Sequence, residues 1–241
     1  MNKFLSNTTA AITLAATIAS VLVSGAALAD TSYPKNHILR PITLNDGDFV
    51  ALGAIGHRSK VNGDDGGFIM PALSYGITDN LTLGTGGLTY RLLAEDGLEL
   101  AVNGGGRGAF DSNEFGDTTG YGASLSGKKV INENFALTFG LGYVFWNEEI
   151  LENRSEIDYS VGVMFNVAQD WTLSGNYTLR DLKDFDQSSA DVFGLNLSYA
   201  ISDTIDVGVF TSHSDFEERE NNTVVHNSFE TASGLFAAWR F

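Results

Sequence analysis

The chain has no cysteine, three prolines, and fewer than half as many basic as acidic residues, 14 against 30. Each shortage excludes something. Without thiols there is no disulfide framework and no thiolate metal site. A formal charge of −16 excludes nucleic acid as a partner by simple repulsion. After residue 29 no apolar run approaches the ~18 residues that a membrane-spanning helix needs. What is plentiful is glycine, 27 residues, which with so little proline suits a single all-β unit.

The first 29 residues differ from the rest. Lys3 precedes an apolar stretch from Ala10 to Val23, and Ala27-Leu28-Ala29 precedes Asp30. This charged start, apolar middle and A-x-A end read as a secretory signal peptide, residues 1–29, cleaved after Ala29. Residues 30–48 form an N-terminal segment, periplasmic or lumenal, and residues 49–241 the folded unit.

That unit is built on a repeat. "LSYGITDNLTLG" (73–84), "KVINENFALTFG" (129–140), "FNVAQDWTLSG" (165–175) and "SYAISDTIDVG" (198–208) each place a short polar turn between alternating strands. Asp, Asn, Gln and Ser in the turns bond neighbouring backbone groups, so these are hairpins. Between them lie longer, acidic segments at 59–66, 93–119, 147–155, 182–190 and 215–227. Tight turns at one end and long loops at the other are the layout of a closed antiparallel up-and-down transmembrane β-barrel.

Ten strands are expected, over 49–58, 67–77, 81–92, 120–131, 135–146, 156–167, 171–181, 191–201, 205–214 and 228–241. Twelve is the alternative, because "LELAVNGGGRGAF" (98–110) has the material for two more. Parity assigns the faces. Phe135, Leu137, Phe139, Leu141, Tyr143 and Phe145 share one side of their strand, and Ile157, Tyr159, Val161, Val163, Phe165 and Val167 share one side of the next. The opposite faces carry Gly, Ser, Thr and Asn. Aromatic residues gather near strand ends, with Tyr75, Phe165, Trp171, Tyr199 and Trp239 by the short turns and Tyr90, Tyr121, Tyr143 and Tyr159 toward the loops. Two aromatic girdles around an apolar outer face fit a bilayer. The first strand is irregular, and parity leaves its facing open.

The last strand ends "FAAWRF", with Leu235, Ala237, Trp239 and Phe241 at alternate positions. In this the chain resembles the small Gram-negative outer-membrane β-barrel proteins, a porin-like class, over residues 49–241. The resemblance implies that Leu235, Ala237, Trp239 and Phe241 are the signal read by the barrel assembly machinery, and that the surroundings are outer-membrane lipid and lipopolysaccharide. An open sheet edge in lipid leaves backbone groups unpaired, so the last strand should pair with the first.

Function then depends on the lumen. The inward candidates are Lys128, Asp158, Asn166, Asn176, Arg180, Asn196, Asp206, Glu230 and Arg240, with Asp206 and Arg240 close enough in height to pair. Trp146, Met164, Phe210 and Phe236 also point inward, so any passage is narrow. Most of the acidic residues, including Glu95, Asp96, Glu99 and Glu156, fall on or beside the long segments, where an acidic rim attracts cations and takes divalent ions as bridges to lipopolysaccharide. The sequence carries no cofactor motif; a dedicated calcium site needs several oxygens converging in one place, of which "NGDDGG" (62–67) is only a faint hint. The expected function is a narrow passive channel for small solutes or cations. A non-conducting structural or adhesive surface barrel is the alternative. A rim hydrolase using His57, His213, Ser214 and Asp215 is weaker, because neighbours on a strand face opposite ways.

Overall fold

The computed structural model describes residues 33–60, 65–112, 116–149, 152–185, 187–216 and 229–241. Twelve strands run β1 Phe49–Lys60, β2 Asp65–Thr78, β3 Leu81–Gly84, β4 Gly87–Glu95, β5 Leu98–Ser112, β6 Gly116–Asn132, β7 Phe135–Glu148, β8 Arg154–Ala168, β9 Trp171–Lys183, β10 Ser189–Ala200, β11 Ile205–Ser214 and β12 Phe229–Arg240. Each pairs with its sequence neighbours, and β1 closes on β12. The closing seam extends from Val50 opposite Arg240 to Lys60 opposite Phe229.

The count is twelve, not ten, for two reasons. The stretch expected as one strand over 81–92 is two, reversed by a tight turn at Thr85-Gly86 between Gly84 and Gly87. Gly87 has φ +146°, a conformation that a side chain would resist. The stretch 98–112 is the second addition, the long strand β5, which returns from a turn at Asp96 (φ 49°) and Gly97 (φ 73°). Residues 93–97 are therefore not part of a long loop. Glu95, Asp96 and Glu99 lie at the short-turn end, and so does Tyr90, opposite Leu81.

The inversion of faces is plain in the exposures. Phe139 and Val163 are 39% and 44% exposed on the isolated chain, as large apolar residues on a lipid-facing surface should be. Their neighbours Ala136, Val144 and Trp146 on β7 turn inward and are buried. In β1, Ala54 is buried at 2% while Ile55 is 56% exposed, so even-numbered residues of that strand face the lumen. Trp171 and Tyr199 stack at 4.8 Å near the short turns, part of one girdle.

Phe68, Phe210 and Phe236 turn inward from the seam side of the barrel, where the Phe68 and Phe210 rings lie 6.2 Å apart. Phe68 lies over Gly56 and Phe236 over Gly208, where a Cβ would meet the ring. In the middle of the lumen the wall carries small polar residues such as Ser124, Thr138, Ser160 and Thr178. The short hairpin β3–β4 leaves a break in this wall. β2 is hydrogen-bonded to β3 only from Ser74 to Thr78, and β5 to β4 only up to Gly105. Beyond those points no strand among the described residues lies between β2 and β5.

Candidate functional site

The chain before β1 does not hang free. Residues 33–48 cross the short-turn mouth of the lumen, pinned on both sides. Asn36 Oδ1 accepts from the Ile38 N–H and caps a single 3-10 turn, His37–Leu39, that buries Ile38 completely. Arg40 follows, buried, and forks onto Asp206 of β11: Nη1 donates to Oδ2 at 2.6 Å and Nη2 to Oδ1 at 2.9 Å. Arg240 of β12 donates to the same carboxylate at 2.5 Å, and His37 Nε2 lies 3.4 Å away. Planar guanidinium and carboxylate groups suit this bidentate fit, which is stronger than a neutral hydrogen bond. Arg40 also donates to the Pro34 and Lys35 carbonyls, which fixes the loop around it.

The rest of the segment reaches the opposite wall. Lys128 of β6 donates to the Arg40 carbonyl and pairs with Glu99 of β5 at 3.0 Å. Glu99 accepts from the Ile42 N–H, Thr43 donates to the Asp79 carbonyl, and Leu44 donates to Thr82. Gly47 and Asp48 then pair with Gly76 as the chain enters β1. The plug thus ties β11 and β12 to β2, β3, β5 and β6. Tyr33, at its start, has its ionisation pushed up by burial, and the Arg240 and Arg40 charges oppose that rise.

Above the plug the lumen holds short polar side chains. Asn103 takes part in a cluster with Thr89, Ser124 and Ser126. A cavity of about 380 Å³ is bordered by Ile42, Ser126, Thr138, Ser160, Asn176 and Thr178. Such a lining favours water over emptiness.

The long-loop end is narrowed again. Arg154 donates to Glu148, and Arg180 to Glu156, both pairs buried. Phe185 lies 4.7 Å from the Arg154 guanidinium and Phe216 4.7 Å from that of Arg180, and the two rings meet edge to face at 5.9 Å. Phe216 has no exposed surface. Two cations, each neutralised by a carboxylate and covered by a ring, therefore crowd one side of the outer mouth.

The expected lumen residues divide among these levels. Lys128, Asn166, Asp206 and Arg240 sit at the short-turn end, where Asn166 donates to the Glu133 carbonyl and accepts from Thr172. In the middle, Asn176 is exposed and Asn196 half-buried. Arg180 lies toward the loops, with Asp158 at 3.9 Å, and Glu230 is exposed near the same end. Leu235 and Trp239 face outward, Ala237 is half-buried, and Phe241 exchanges two backbone hydrogen bonds with Phe49.

Sequence reasoning missed Arg40, Glu99, Arg154 and Phe216. Glu156, read as part of the rim, is buried against Arg180. His213 points outward, while Ser214 is buried and accepts from the Phe216 N–H, so the two are not brought together. Among the described residues no three His, Asp or Glu side chains gather as metal ligands. The first half of "NGDDGG" lies outside the described residues, and the signal-peptide reading lies wholly outside them.

Residues 15–224 match the family described as the outer membrane protein beta-barrel domain. Among solved structures, the NanC porin superposes with a TM-score of 0.53 at 13% identity, covering 78% of this chain and 98% of its own. An anion-selective porin from Comamonas acidovorans gives 0.47 at 10%, covering 80% and 98%. The KdgM porin, solved with disordered oligogalacturonate, gives 0.46 at 10%, covering 80% and 99%. No curated protein matches the chain.

Proposed function

The chain belongs to the outer membrane protein beta-barrel family and is an outer-membrane protein of a Gram-negative cell; from that premise we propose that it is a narrow passive channel for small solutes or cations, throttled by its own N-terminal segment. One observation carries the reading. A polar-lined space lies between two crowded mouths, and the short-turn mouth is closed by a docked peptide, not by the barrel wall. A wall can only be rebuilt, but a docked peptide can leave.

The barrel size agrees. Eight strands are filled by their own side chains and sixteen leave an open aqueous channel, so twelve leave room that a short segment fills. Acidic residues outnumber basic ones two to one, which raises the local concentration of cations over anions. In the same proposal the acidic loops meet lipopolysaccharide through divalent ions, and the strand ending in Trp239 and Phe241 is read by the barrel assembly machinery.

Planar-bilayer recording tests the reading. The intact chain should give small, cation-selective steps, and a variant lacking residues 33–46 should give steps several times larger. Silence in both favours the structural barrel, which the filled mouths also support. The hydrolase reading draws no support from the separated His213 and Ser214.

A further inference from the structure

The break in the wall above the β3–β4 hairpin has a definite shape and chemistry. Its floor is the turn Thr85-Gly86. One side is β2 above Ser74, and the other is β5 from Gly104 to Gly106. Thr85 extends the ladder by one residue, donating from its N–H to the Leu73 carbonyl at 2.9 Å and accepting the Leu73 N–H on its hydroxyl at 2.6 Å. Beyond Leu73 that edge of β2 has no partner strand among the described residues.

Backbone parity identifies what faces the break. Leu73 turns both its backbone groups toward Thr85, and Gly76 turns both of its own toward Gly47 and Asp48 on the other side. Odd-numbered residues of β2 therefore present N–H and C=O to the break. The next odd residue is Pro71, which has no N–H to leave unpaired, as befits a strand edge. Ile69 and Gly67 follow with theirs available.

This edge stands at the level of hydrocarbon, since Ile69, Leu88 and Val102 around it are apolar, outward and 66%, 48% and 40% exposed. Unpaired backbone there costs several kcal/mol per group unless something polar meets it. A cavity of about 530 Å³ opens at this spot, and it is bordered by residues of both faces: inward Asn103, Ser124 and Ser126, outward Leu73 and Leu88. With no described strand between β2 and β5 at this height, the cavity lies in the gap between the two faces. None of its border residues is charged. Two lumen-side cations, Arg91 and Lys128, are both paired with Glu99.

We propose that this break is a lateral portal that binds an uncharged-headed amphiphile, its hydroxyl-bearing head among Asn103, Ser124 and Ser126 and its alkyl chain running out past Leu73 and Leu88 into the acyl layer. A hydroxyl-rich head can satisfy the open β2 edge and the amide and hydroxyl lining together. A carboxylate or phosphate head would meet no cation among the border residues. A purely hydrocarbon solute would leave the edge groups unmet. The site is independent of conduction along the axis, so it stands or falls apart from the channel reading.

The probe is an octyl glucoside carrying a diazirine on its alkyl chain, added to the full chain in phospholipid nanodiscs, irradiated and mapped by mass spectrometry. Labelling should concentrate on peptides containing Leu73 and Leu88, exceeding that by the carboxylate analogue with the same chain at least fivefold. Gly106→Trp should reduce it by a similar factor, since a Cβ at Gly106 meets nothing within 4 Å and the ring would fill the opening. Val163→Trp, on the far wall, should leave it unchanged. Ala72→Phe, which fills the cavity from β2, serves if Gly106→Trp fails to give a folded barrel on unheated gels. Labelling spread evenly around the outer face, equal labelling by the carboxylate analogue, or indifference to both filling variants would overturn the proposal.

Discussion

Arg40→Ala is the most direct test of a detachable plug. The change removes both hydrogen bonds to Asp206, those to the Pro34 and Lys35 carbonyls, and the contact of the guanidinium with Tyr33 at 5.4 Å. Breaking a buried ion pair by removing one partner costs ~3–5 kcal/mol, because a charge is left unmet. Asp206 keeps Arg240 at 2.5 Å, so the low end applies. A loss of about 3 kcal/mol moves the docked-to-undocked ratio by on the order of 10²-fold. No barrel strand depends on Arg40, so the ladders should survive. The expected result is a folded barrel on unheated gels, faster cleavage of residues 33–48 by added protease, and longer open times in planar bilayers. Asp206→Asn should do more, since it sets Arg40 and Arg240 against each other with no carboxylate between them. If both variants match the parent in protease sensitivity and in conductance, the segment is not held by this cluster and the reasoning fails.

Phe216→Ala empties a fully buried site against Phe185 and Arg180, and a loss of about 3 kcal/mol is expected; thermal melting by circular dichroism should shift down and outer-side blockers should enter more readily. Pro71→Val adds to the open edge of β2 a donor that no strand meets, and should lower stability to urea in lipid vesicles, whereas Leu195→Pro, within a strand paired on both sides, should impair refolding by ~3 kcal/mol or more; a Pro71→Val barrel more stable than the parent would contradict the break in the wall. Burial raises the pKa of Tyr33 above its ordinary value, so the docked segment keeps the phenol neutral. Below pH ~10 that contribution to docking is whole, and it fades as the pH climbs above the ordinary tyrosine value because the undocked form ionises first. Conductance should therefore rise on alkalinisation, and Tyr33→Phe should flatten the rise.

Much of this fold is legible because two faces of a strand answer to two solvents. Alternation at β7 and β8 tells outside from inside without any coordinates, and the turns at 133–134 and 169–170 stand out by their polar residues. The β3–β4 reversal was legible too, in a subtler sign. Leu81 and Leu83 are odd, while Leu88, Tyr90 and Leu92 are even, and a two-residue turn shifts the phase by one. Read as one strand, 81–92 would have had to change faces midway. The plug had no such sign. Arg40 and Asp206 are 166 residues apart, and nothing periodic near Pro34 to Asp48 points to a partner that distant. Glu156 was misjudged because sequence distance from a loop does not say which way a strand residue turns.

The seam where β1 meets β12 has a consequence for the order of events during folding. Joining stretches nearly two hundred positions apart is the most entropically expensive step in making the cylinder, so it comes late. Arg40, just ahead of β1, finds its carboxylate on β11 and its fellow cation on β12, and β1 is joined to that hairpin only once that step is complete. A seated plug thus certifies a finished barrel, and an unfinished one is left ajar.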